Sequence, residues 1–153
     1  MTVQILTPPA IQKQLKIAER LCAQRQKRLT PIRRTVLELL IRAQRSLRAY
    51  ELLEQIQAIH PKAAPPTVYR ALDFLTEQGL AHRLEAINAW TACVDAAGDP
   101  HDLFIICTQC GQVVEIHAPD LSAQIAQCID QAGFAARPFE TELRALCTEC
   151  VPT

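Results

Sequence analysis

The chain has 153 residues, nearly half of them apolar and only four of them glycine, so it can bury a core without disulfides and holds no low-complexity segment. Its apolar runs reach about five residues, too short to cross a bilayer or to form the core of a signal peptide. Zero net charge hides a division: residues 1–92 hold 14 Lys/Arg against 7 Asp/Glu, and residues 93–153 hold 2 against 9. A basic, anion-facing half and a separate half with other work are expected, in a soluble cytoplasmic protein with no membrane partner. Seven cysteines in a reducing compartment suit metal ligands and core positions better than disulfides.

The first helix is predicted over residues 11–27, where Ile11, Leu15, Ala18, Leu21 and Cys22 recur at helical spacing. A second follows in RLTPIRRTVLELLIRA, with Thr30 as N-cap, Pro31 at the first helical position, and Val36, Leu37 and Leu40 on one face. In RAYELLEQIQAIHP a third helix carries Ala49, Leu52, Leu53 and Ile56 and stops at Pro61. The fourth, in APPTVYRALDFLTEQGL, opens at Pro66, shows Val68, Ala71, Leu72 and Leu75 as one stripe, and reaches a left-handed cap at Gly79. Its opposite side is expected to carry Thr67, Arg70, Asp73 and Phe74. LAHRLEAINAWTACV alternates around a turn at 86–88 and reads as a β-hairpin. Helices followed by a hairpin describe a winged helix.

Residues 95–100 are loop and the best boundary. Beyond them LFIIC and QVVEIH read as strands joined at TQCG. PDLSAQIAQCIDQAGF reads as a helix with Leu121, Ile125, Cys128 and Ile129 apolar, stopped by Gly133. RPFETELRALCTEC supplies a last strand. So small an α+β half needs a metal, a partner chain, or both. The expected fold class is α+β: a winged helix-turn-helix domain over 1–92, a hinge over 93–100, and a second domain over 101–153.

The third and fourth helices fit a helix-turn-helix, whose second helix shows its N-terminal residues to base edges in the major groove. Those residues are Thr67, Tyr69 and Arg70. Arginine can bond both acceptors of a guanine edge; tyrosine and threonine can reach phosphate or a thymine methyl. Arg28, Arg33, Arg34, Arg42, Arg45, Arg48, Lys62 and Arg83 are available for phosphates, giving salt-dependent affinity without sequence reading. The competing reading makes Tyr69 a packing residue and Arg70 a solvated charge.

Cys107-x-x-Cys110 and Cys147-x-x-Cys150, separated by 36 residues, offer four thiolates to a closed, tetrahedral, structural zinc site. A redox role needs such a pair at the start of a helix in a thioredoxin-like unit, and neither sits there. His82, Cys93, His101 and Glu115 would make a second four-coordinate shell, its thiolate favouring zinc over ferrous iron. Spacing alone does not assemble them. Each also has an ordinary reading: wing phosphate contact, core thiol, loop, exposed strand face. Two complete shells leave no open position for a catalytic water, so no enzyme is expected. Cys22 and Cys128 lie on apolar helix faces, where an inert buried thiol is the usual reading.

RLTPIRRTVLELL, AYELLEQI, PPTVYRALDFLTEQGLAHRLE and FIICTQCGQVVE together resemble the ferric uptake regulator family, and within it the zinc-sensing branch. The likeness runs from about residue 15 to residue 150. It implies a homodimer in which each chain pairs an N-terminal winged helix with a C-terminal α+β dimerisation domain. It implies two zinc ions per subunit: a structural one on Cys107, Cys110, Cys147 and Cys150, and a regulatory one at the hinge on His82, Cys93, His101 and Glu115. Base contacts near Tyr50 and Arg70 and a palindromic double-stranded operator also follow from it. The function so implied is zinc-dependent repression of zinc-uptake genes; the alternative is a sensor of iron, manganese, nickel or peroxide on the same fold. Iron sensors of the family usually carry a His-rich HHHDH run where this chain has PHDLF, which argues against iron. Asp99 or Asp102 is then a candidate to assist His101, and His117, on the strand face of Glu115, a reserve ligand.

Overall fold

The computed structural model describes residues 7–93, 95–98, 102–137 and 140–152. The chain divides into two compact units, Met1–Ala97 and Gly98–Thr153.

The first unit is built from four helices and a hairpin. Helix α1 runs Pro8–Gln24, α2 Pro31–Ala43, α3 Ala49–Ile59 and α4 Pro65–Glu77. Three of them begin on proline, whose missing N–H is unneeded in a first turn and whose φ is already helical. For α1 this moves the start back from residue 11 to Pro8, and α4 opens on Pro65 rather than Pro66. Thr30 holds the N-cap position of α2 in extended backbone, but its side chain makes no capping bond. Helix α3 has no proline; there Glu51 takes the Arg48 N–H at 2.8 Å, satisfying a donor that the first turn leaves open. Gly79 follows α4 with φ +67°, and Leu80 N–H returns to Leu75 O at 2.8 Å, closing the helix in the left-handed manner expected there.

The apolar stripes of the four helices face one another. Ile11, Leu15, Ala18 and Cys22 of α1 join Val36, Leu37, Leu40 and Ile41 of α2, Leu52 and Ile56 of α3, and Val68, Ala71, Leu72 and Leu75 of α4 in one cluster. Phe74 belongs to that cluster and is only 7% exposed, against the expectation that it shares the outer side with Arg70. The reason is width: with buried neighbours on several sides, α4 presents more than a narrow stripe to the core.

Strand β1 (Ala81–Leu84) pairs antiparallel with β2 (Ala89–Ala92), in register Ala81↔Ala92 to Leu84↔Ala89. Asn88, at φ +49°, ends the turn. Leu47 exchanges both main-chain bonds with Trp90 at 2.8 Å, fastening the α2–α3 connection to the hairpin.

In the second unit β3 (Leu103–Cys107) is central. It pairs antiparallel with β4 (Val113–Ile116) and parallel with β5 (Thr141–Ala145), in the order β4-β3-β5. Helix α5 (Pro119–Gln131) joins β4 to β5 and ends before Gly133, at φ +84°. Its N-terminal turn is tied from a distance. Asp102, just before β3, takes the Ala118 N–H on Oδ1 and the Ser122 hydroxyl on Oδ2, each at 2.6 Å. These bonds, the Ser122 hydroxyl foremost, hold the Asp102 carboxyl below its ordinary range.

Candidate metal centres and nucleic-acid interface

The two Cys-x-x-Cys pairs meet because β3 and β5 run side by side. Cys107 is the last residue of β3 and lies opposite Ala145. Both strands therefore end together, and each runs into a short turn that carries its second cysteine. Thr108 N–H bonds Ala145 O at 3.0 Å, Gly111 N–H bonds Cys107 O at 3.0 Å, and Cys150 N–H bonds Cys147 O at 2.9 Å. The four sulfurs lie within 4.8 Å of one another. Cys110 and Cys147 sulfurs stand 3.8 Å apart, far longer than a disulfide of about 2.05 Å.

Their acidities differ from one another. Backbone N–H groups, that of Cys110 first and that of Cys147 next, hold the Cys107 thiol down to about 6. Cys150 is pushed up to about 12, chiefly by its hydrogen bond with the Cys147 side chain. Ionisation is thus favoured at Cys107 and opposed at Cys110 and Cys150. A soft dication reverses that balance, and four sulfurs at such separations fit tetrahedral zinc.

The second set is placed as follows. His82 is on β1 opposite Thr91. Cys93 follows β2, its N–H bonded to Leu80 O at 3.0 Å. An imidazole nitrogen of His82 and the Cys93 sulfur, at the same end of the hairpin, lie within 4.8 Å. Glu115 stands half-buried on β4, opposite Phe104. His101 and Asp99 lie outside the described residues. Asp102 is engaged with the start of α5, as above. His117 falls one residue beyond the end of β4, exposed, with Nδ1 at 3.9 Å from Asp102 Oδ1.

On the basic unit, α3 and α4 are joined by residues 60–64. Tyr69 and Arg70 are exposed on the first half of α4 and Thr67 is half-buried there, while Tyr50 is exposed at the second position of α3. Tyr69 also has a packing contact: its ring meets Trp90 of β2 edge-on, with centroids 6.0 Å apart. Arg33 and Arg34 both have internal partners. Arg34 bonds Glu19 at 2.9 Å and Glu38 and Gln12 at 3.3 Å. Arg33 lies 3.7 Å over the Phe74 ring and donates to Arg28 O at 2.8 Å. Sequence reasoning missed Trp90 and Phe74 as supports of α4. The lone tryptophan, flanked by small residues in the hairpin, was the one signal for the first.

A family model described as the ferric uptake regulator family matches residues 24–144. The chain is 40% identical to the zinc uptake regulation protein of Escherichia coli (strain K12) over 141 residues, 92% of this chain and 82% of the relative. It is 27% identical to the peroxide operon regulator of Bacillus subtilis (strain 168), over 80% of this chain and 83% of that one. Among solved structures, a zinc uptake regulator complexed with zinc and DNA superposes with TM-score 0.85 at 39% identity, covering 95% of this chain and 96% of the other.

Proposed function

This chain belongs to the ferric uptake regulator family, and from that premise we propose that it is a zinc-responsive, DNA-binding transcriptional repressor of zinc-uptake genes. It acts in the cytoplasm as a homodimer on a palindromic operator and has no catalytic step. The reading gives each subunit two zinc ions. One is structural, on Cys107, Cys110, Cys147 and Cys150; the other is regulatory, on His82, Cys93, His101 and Glu115. The observation that carries zinc, rather than iron, manganese, nickel or peroxide, is the thiol of Cys93 beside the imidazole of His82 at the root of the hairpin. The likeness to the zinc uptake regulators, at higher identity than to the peroxide regulator, supports the same choice.

In this proposal His82 and Cys93 come from the DNA-binding unit and Glu115 from the dimerisation unit. Ligands from both restrict the angle between them. A dimer so restricted presents two α4 helices at one spacing, and DNA accepts only spacings that match its helical repeat. Tyr50, Thr67, Tyr69 and Arg70 face the bases. Zinc favours the DNA-competent population, and by linkage DNA tightens zinc binding by the same factor. Leu121, Phe134, Leu143 and Leu146, exposed on the second unit, support a second copy as its partner.

The test is DNA binding against buffered free zinc. Cys93→Ser is expected to need at least about tenfold more zinc while staying a folded dimer, because one of the four direct ligands of the regulatory zinc is gone, and loss even of a group that only orients a ligand costs about that much. Normal zinc response in that variant overturns the sensor assignment. Competition by iron, manganese and nickel at the exchangeable site checks the metal. Arg70→Ala should weaken binding to a selected duplex more than to random DNA; equal loss on both would make Arg70 a phosphate contact.

A further inference from the structure

We propose that Arg33 is a positioning residue for helix α4, not a phosphate contact. Its guanidinium is the lid over Phe74, and it holds the reading half of α4 at a fixed attitude. This rests on the DNA-binding reading above.

Phe74 lies one turn beyond Arg70 and is almost wholly buried. The guanidinium carbon of Arg33, on α2, sits 3.7 Å from the centre of its ring. At that distance the planar cation stacks on the ring's negative face. One arm of the same guanidinium donates to Arg28 O in the α1–α2 connection, at 2.8 Å. Arg33 thereby joins three elements: the connection before α2, α2 itself, and α4. A phosphate would have to compete with both contacts.

A second arginine braces the same helix from elsewhere. Arg25, just past the end of α1, donates through its Nη1 to Gln78 O, at the C-terminal end of α4. A cation there also suits the negative end of the helix dipole. Both braces act on the C-terminal half of α4, whereas Thr67, Tyr69 and Arg70 occupy its N-terminal half. Leverage follows: a small tilt about the braced end moves the reading side chains relative to the groove. Base-edge hydrogen bonds are sensitive to such displacement, and phosphate attraction is not.

Lysine separates the two roles. It keeps the charge that a phosphate needs but lacks the planar face and fork that stack on Phe74 and reach Arg28. Zinc-loaded wild type is first used to recover binding duplexes from a randomised pool; random-sequence duplex of the same length is the control. Arg33→Lys and Arg33→Gln are then expected to weaken the selected duplex by similar factors, about fivefold. Both should leave random-duplex binding within about twofold and leave the slope of log K against log salt unchanged. Phe74→Leu should copy them, and Arg33→Gln with Phe74→Leu should add little, both in binding and in thermal unfolding. The inference is overturned if Arg33→Lys binds like wild type while Arg33→Gln lowers the salt slope by about one. Additive effects of Arg33→Gln and Phe74→Leu on thermal unfolding overturn it as well, without reference to DNA. Failure of the pool to yield any enriched duplex instead refutes the DNA-binding reading, and the unfolding arm still reports on the Arg33–Phe74 contact.

Discussion

Residues 7–97 bury side chains from every helix of their unit into one cluster, whereas among the described residues of 102–152 only Leu103, Phe104, Ile106 and Cys107 are buried, and α5 buries none. The first unit has what a small domain needs: several elements with apolar faces that meet. A three-stranded sheet and one helix cannot enclose a comparable volume. The second unit instead gathers four cysteines where its strands end, and leaves Leu121, Phe134, Leu143 and Leu146 facing outward. The difference suits a division of labour. In the proposed function the first unit reads DNA and has to keep its shape by itself, while the second is completed by metal and a second copy, which links its folding to both.

The sharpest way to break this contrast is Cys107→Ser. Hydrogen exchange is expected to lose protection across residues 102–137 and 140–152 while 7–93 stay protected, because one thiolate fewer leaves the sulfur cluster open. Equal loss in both regions would mean that the first unit does not stand alone. Next, Leu72→Ala, at 0% exposure, should destabilise the first unit by about 3 kcal/mol in urea unfolding. A change below about 1 kcal/mol would show that its core tolerates a cavity and is looser than its burial implies.

Asp102→Asn probes the second unit more gently. The Asp102 carboxyl is depressed in the folded state, so its stabilisation is present above its unfolded pKa and is lost as pH falls through the folded value. The variant should melt lower than wild type near neutrality, and the gap should close on acidification. A gap independent of pH would take the role away from the ionised carboxylate. The smallest effect is expected for Arg34→Gln, whose ion pairs to Glu19 and Glu38 are partly exposed. A loss under about 1 kcal/mol, further reduced by salt, fits such pairs. DNA binding that loses about one unit of salt slope would return Arg34 to the phosphate contacts.

Where one residue's neighbours in sequence decide its position, the structure was legible in advance. Gly79 at a positive φ and the start of α2 at Pro31 follow from local backbone chemistry. The apolar stripe of α4 follows from helical periodicity, which places residues three and four apart on one face. The Cys-x-x-Cys pairs were equally visible, because each pair lies within one turn. Less legible was anything that depends on a distant partner. Phe74 reads as an outer residue of α4 until α2 places Arg33 over it. Leu47 pairs with Trp90 through a single bridge, too short to leave an alternating pattern. Asp102 caps a helix 16 residues further on, from a position that in sequence adjoins a histidine and suggests a metal role.

By itself, then, the sequence determined the elements, the basic and acidic halves, and the two Cys-x-x-Cys pairs, since periodicity, charge and side-chain type are local properties. Only the tertiary structure decided that parallel pairing of β3 with β5 carries Cys147 and Cys150 to Cys107 and Cys110. It alone decided that Arg33 and Arg34 are engaged internally. Burial and long-range pairing depend on which surfaces meet, and no local window of sequence contains both sides of such a contact.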